Sequence, residues 1–157
     1  MTMPKLFMKG TLVFATILFC SSYGAAKSLQ LCGKTPYSIL IHVDAVKNDK
    51  GNVTVALYDD DPERFLKKGE KLGHLRVPAI KGTTSVCIAA PHIGDYAIVA
   101  YHDEDGNGRI TRSWIGLPTE GFGFSNNPDV LLAPPKHSEA IVLIEAEKTI
   151  LNIKIQY

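Results

Sequence analysis

Along residues 38–46 apolar and polar side chains alternate, with Ile39, Ile41, Val43 and Ala45 on one face and His42 and Asp44 on the other. Successive side chains of an extended backbone point to opposite sides, so this two-residue period predicts a half-buried strand. The run Asn48-Asp49-Lys50-Gly51-Asn52 tolerates left-handed backbone, and Val53, Val55 and Leu57 resume the period beyond it. That pair reads as a hairpin. Between residues 59 and 73 the alternation is lost, and Pro62-Glu63-Arg64-Phe65-Leu66 predicts one short helix behind an Asp cap. Strands at 74–79 and 85–89 about a Lys81-Gly82 turn predict a second hairpin. Residues 96–102 are apolar on both faces, which suits a central strand covered on both sides. Residues 141–144, followed by Leu151, Ile153, Ile155 and Tyr157 in alternation with polar positions, predict a closing hairpin about residues 145–148. About seven short strands with at most one short helix predict an all-β fold, an antiparallel two-sheet sandwich, and argue against a parallel α/β fold.

The first 26 residues differ from the rest. Lys5 and Lys9 precede an apolar run at 11–20, and Gly24, Ala25 and Ala26 follow, the layout of a secretory signal cut after Ala26. The apolar run is about half the roughly 20 residues that a membrane-spanning helix needs, so no stable membrane insertion is expected after its removal. A lipoprotein cut before Cys20 wants a small preceding residue, and Phe19 is bulky. The expected organisation is a signal peptide at 1–26, a tail at 27–37 and one sandwich domain at 38–157, in the periplasm or secreted. Of 17 basic and 16 acidic side chains, removal of Lys5 and Lys9 leaves 15 against 16, a formal charge of −1. Nucleic acid, which needs a concentrated basic surface, is excluded as a partner. An oxidising compartment would allow Cys32 and Cys87 to form a disulfide. The alternative is a tail thiol and a small buried hydrophobe, and sequence separation does not choose between them.

Directly after the central strand stands Asp103-Glu104-Asp105-Gly106-Asn107-Gly108-Arg109-Ile110. Hard cations take six to eight oxygens, and a bend with oxygen side chains at every second position can direct them inward. Asp103, Asp105 and Asn107 have that spacing; the Arg109 carbonyl and Thr111 can extend the set. Trp114 stands where a helix-loop-helix calcium hand carries its bidentate glutamate, so the loop is not such a hand. Glu120 or the Asp59-Asp60-Asp61 cluster would have to complete a calcium shell. Arg109 and Arg112 reduce the local negative field. The competing reading is a polar turn whose Asp and Asn cap their own backbone.

Residues 114–127, with the chain's one tryptophan, interleave aromatics and glycines. Trp114, Phe122, Phe124 and Asn126 are candidate ligand contacts on an exposed shelf for a protein, peptide or glycan. The alternative is an ordered loop whose aromatics close the core. The histidines at 42, 74, 92, 102 and 137 are scattered, and no pair has zinc-site spacing. Ser125 lacks the glycine two residues on that a nucleophile elbow requires. Lys67, Lys68, Lys71 and Arg64 make a small basic patch beside the predicted helix.

Tyr101-His102-Asp103 through Asn107-Gly108, then Trp114-x-Gly-x-Pro118-x-Glu120-Gly121-Phe122-Gly123-Phe124-Ser125-Asn126-Asn127, resembles the bacterial domain of unknown function family numbered 2141. The resemblance implies an exported β-sandwich of transthyretin-like or immunoglobulin-like character and no known enzymatic activity. Family members commonly carry an acidic residue where this chain has Thr111, which removes one ligand. They carry a phenylalanine in place of His137. The leading expectation is an exported binding or interaction module, with the loop at 103–111 as a candidate calcium staple and the aromatic loop as a candidate contact surface. A structural protein assembling through sheet edges comes second, and a metal-assisted hydrolase third, because no general base or nucleophile is matched to the ligands.

Overall fold

The computed structural model describes residues 32, 35–131 and 133–157. The expected signal peptide lies outside the described residues. Within them, eight strands and one helical turn run in the order β1 (Ser38–Val46), β2 (Asn52–Tyr58), β3 (Gly73–Pro78), β4 (Gly82–Ala89), β5 (Gly94–Asp103), β6 (Phe122–Phe124), α1 (His137–Ala140), β7 (Ile141–Ile144) and β8 (Lys148–Lys154). One sheet has the order β4-β1-β8; the other has the order β3-β2-β5-β6, with β7 also on β5. The fold is all-β. Its inner core joins the two sheets: Ile39, Ile41, Val43, Val86 and Ile153 from the first pack with Val53, Val55, Leu57, Ile98 and Ala100 from the second.

Strand positions follow the alternation closely, but strand pairing does not. None of the three expected hairpins forms. β1 pairs with β4 and β8, whereas β2 pairs with β3 and β5. The turn at 47–51 therefore crosses from one sheet to the other, as do the turns at 79–81 and 145–147. Two strands joined by a short turn can bury their apolar faces only by facing each other across the core or lying side by side over a third layer. Here they face each other, and the loops lack the two-residue primed turns that would enforce hairpins. The sheets are not purely antiparallel either, because β1 and β8 run parallel from Ser38↔Lys148 to Asp44↔Lys154. A bulge in β1 interrupts the register between Asp44 and Val46, with Ala45 at φ 62°. It turns Ala45 outward and puts Val46 in the core, opposite to the strict alternation.

β5 is the central, doubly covered strand, buried from Tyr96 to Asp103. Its second face, with that of β2, holds Ala56, Tyr58, Ala97 and Val99, covered by Phe124, Ala140, Phe65 and Ile141. The helix expected at 62–66 is replaced by successive turns. Asp61 does cap it, accepting the Glu63 N–H at 2.8 Å, but Leu66 adopts φ 61°, which ends any right-handed helix after one turn. The observed helical turn is α1 instead. Cys32 and Cys87 are joined by a disulfide with Cα atoms 5.6 Å apart, which ties the N-terminal tail to β4. No described helix is long and apolar enough to cross a membrane.

Candidate functional site

Asp103 ends β5 where the β1–β2 connection crosses it. A Cβ on Gly51 would lie 1.9 Å from the Asp103 carbonyl oxygen, and Gly51 has φ +65°, so only glycine fits this approach. The Asp103 side chain is fully buried. Its Oδ2 accepts the Gly108 N–H at 2.9 Å and lies 3.6 Å from Arg76 Nη2. Its Oδ1 is buried with no hydrogen-bond partner. Such an unpartnered acceptor costs about 1–3 kcal/mol, more when the group is charged. Thr54 Oγ1 and Ser113 Oγ share that condition, but they are neutral hydroxyls and Asp103 is a carboxyl.

Two further carboxyl groups converge on it. Asp103, Asp105 and Glu120 each offer an oxygen such that the three atoms lie within 4.8 Å of one another. Among the described residues this is the one group of three or more His, Cys, Asp or Glu side chains so gathered. Glu120 reaches across from the segment before β6 and is buried. Its Oε1 accepts the Glu104 N–H at 2.8 Å, and its Oε2 accepts the Thr111 N–H at 2.8 Å, which holds both ends of the loop to one carboxylate. Asp105 Oδ1 accepts the Asn107 N–H at 2.9 Å, and its Oδ2 accepts from the Thr111 hydroxyl at 2.9 Å. The Asn107 N–H, then the Thr111 hydroxyl, hold the Asp105 carboxyl below the usual carboxylate range. Asn107 and Thr111 thus sit at the rim of the cluster, bonded to Asp105. Arg109 donates its N–H to Asn107 Oδ1 at 2.9 Å while its side chain lines a neighbouring cleft. Asp59 and Asp61 are engaged elsewhere, with Arg64.

His102, next to this cluster and fully buried, is a structural clamp. Its Nε2 lies 2.8 Å from the Lys50 carbonyl and must donate to it. Its Nδ1 then accepts the Tyr157 hydroxyl proton at 2.8 Å, and that hydroxyl accepts the Lys47 N–H at 2.9 Å. Every polar atom is matched, and the C-terminal tyrosine is locked to the β1–β2 connection.

The glycines of the aromatic segment explain its local form. A Cβ on Gly121 would meet Ile155 Cγ2 at 2.4 Å, and one on Gly123 would meet the Lys154 carbonyl oxygen at 2.5 Å. Glycine faces β8 while Phe122 and Phe124 face outward, so the segment is a strand, β6, pairing Val99↔Phe124 and Tyr101↔Phe122. The two phenylalanines help floor a cleft of ≈ 680 Å³ on the outer face of β2, β5 and β6. Trp114 stands clear of it, 97% exposed. Asn126 lies outside the cleft lining; its side-chain amide donates to the Ile141 carbonyl at 2.6 Å and stitches the end of β6 to β7.

A family model described as "Uncharacterized protein conserved in bacteria (DUF2141)" matches residues 41–152. No curated protein and no solved structure matches the chain.

Proposed function

The chain belongs to the bacterial family DUF2141, and on that premise we propose that it is an exported binding module whose ligand-bearing loop is held in place by calcium. One observation carries the cation: Asp103 Oδ1, buried and unpartnered, stands in a cluster with Asp105 and Glu120. The donors are all oxygen, which favours a hard ion over zinc or copper. A spread of up to 4.8 Å is one that two calcium–oxygen bonds of roughly 2.4 Å can bridge. Bound there, the ion would neutralise a cluster whose one salt bridge among the described residues is that of Arg76 with Asp103, and would fix the bend between β5 and β6. The disulfide supports an oxidising compartment, periplasmic or extracellular. The two facing sheets fit a sandwich of transthyretin-like or immunoglobulin-like type.

Calorimetric titration of calcium into the processed, chelator-stripped protein tests this. One site is expected, with magnesium at least about tenfold weaker because it demands a tighter octahedron. Asp103→Asn should abolish the heat. Asp105→Asn, at an exposed position that leaves the core intact, should weaken it by about tenfold or more. No calcium heat in the wild type, or full heat in both variants, would overturn the reading.

A further inference from the structure

We propose that the cleft on the outer face of β2, β5 and β6 binds a small amphipathic anion, an apolar body carrying a carboxylate-like head. This deepens the binding-module reading and stands apart from the calcium site. The floor is apolar and aromatic, built from Ala56, Tyr58, Val99, Tyr101, Phe122 and Phe124. The Tyr101 hydroxyl is already engaged, donating to the Gly108 carbonyl at 3.2 Å, so the floor offers little to a polar body. The walls carry Lys67, Lys68, Lys71, Arg109 and Arg112, and among the described residues no aspartate or glutamate lines the cleft.

Those cations are scarcely compensated. Lys67 meets exposed Glu63 at 3.5 Å, and no salt bridge to Lys68, Lys71, Arg109 or Arg112 occurs among the described residues. Lys71 Nζ instead lies 5.8 Å from the centre of the Tyr101 ring, at the edge of the floor. Positive charge gathered around a low-dielectric concavity focuses the field on its mouth, which selects an anion there. The apolar floor selects a hydrocarbon tail behind the charged head. A volume of ≈ 680 Å³ falls within the range of small-molecule sites, roughly 300–1,000 Å³. A neutral amphiphile leaves the cations unanswered, and a cationic one is repelled.

The probe is dodecanoate below its micelle concentration, titrated calorimetrically in calcium and again in chelator, beside dodecanol and dodecyltrimethylammonium. Dodecanoate should bind with one site, and each analogue at least about tenfold more weakly. The triple variant Lys68→Glu/Lys71→Glu/Arg112→Glu alters exposed side chains, should melt within a few degrees of the wild type, and should lose at least about tenfold in affinity. Co-sedimentation with phosphatidylglycerol vesicles separates the two sources of such a head. Vesicle binding without dodecanoate binding overturns the proposal and assigns the face to a membrane surface. Equal affinity for all three amphiphiles, or an unaffected triple variant, overturns it as well. Dodecanoate binding alongside a silent calcium titration would remove the cation and leave this site standing; the converse would remove this site alone.

Discussion

Asp103 sets the character of the site at the scale of one residue. It is the last residue of a strand buried on both faces, yet it carries a carboxyl group with one oxygen satisfied and one not. The spacing of Asp103, Asp105 and Asn107 was legible as a cation signal. That Glu120 and not the Asp59-Asp60-Asp61 cluster joins Asp103 and Asp105 was left open, because it depends on how the chain returns after residue 111. A different carboxyl, Asp59, anchors the turns that follow β2 through Arg64. Burial pulls its pKa up, but the Arg64 guanidinium at 2.6 Å and the Asp61 N–H outweigh it, and the net shift is downward. A carboxyl with a folded pKa below its unfolded value, about 3.9, contributes stability above that value and loses it as pH falls through the folded one. The stability gap between wild type and Arg64→Met should therefore close as the pH is lowered from about 5 to about 2. Parallel melting-temperature profiles would contradict the pairing.

At the scale of the element, two segments depart from the form their local pattern suggests. The segment at 59–72 folds as turns anchored by Phe65, whose ring meets Tyr58, Phe124 and His137 at 5.6, 6.2 and 5.3 Å. The Pro62 start and Asp cap signal a helix, but Leu66 at φ 61° and the docking of Phe65 decide otherwise. β6 escapes a reading of alternation because its inward residues are glycines, which register as turn formers; its period of two is carried by Phe122 and Phe124 alone. Glycine at 51 has a sharper role. Gly51→Ala would place a methyl against backbone at 1.9 Å as well as at φ +65°, and should cost about 2 kcal/mol or more and weaken calcium binding. Gly106→Ala, at φ +73° with nothing within 4 Å, should cost only about 1 kcal/mol. Urea denaturation of both variants checks this; equal costs would show that the contact with Asp103 does not matter.

For the whole molecule, the alternation marked where most strands lie and most of their inward residues, since each strand's period reports its own burial; the bulge at Ala45 and the glycine-bearing β6 are the exceptions. Pairing partners are a non-local property. Every short connection from β1 to β2, β3 to β4 and β7 to β8 passes between sheets, and no local pattern distinguishes that crossing from a hairpin. The disulfide closes a loop with sequence separation 55, a constraint of the order of 4 kcal/mol on the unfolded chain. Gly108, Arg109 and Ile110 line the cleft and belong to the loop that carries Asp103 and Asp105. Any effect of a cation there on the affinity for an anionic amphiphile would be matched by an equal effect of the amphiphile on the affinity for the cation.

Thermal melting in calcium and in chelator, on wild type and Asp105→Asn together, is the most direct test of whether a cation holds the carboxylate cluster. At about a hundredfold excess over its dissociation constant, calcium should add about 2.7 kcal/mol, a rise on the order of 10 °C. In Asp105→Asn, at about tenfold weaker affinity, about half of that rise or more should disappear. Superimposable melts in calcium and chelator for the wild type would contradict the account.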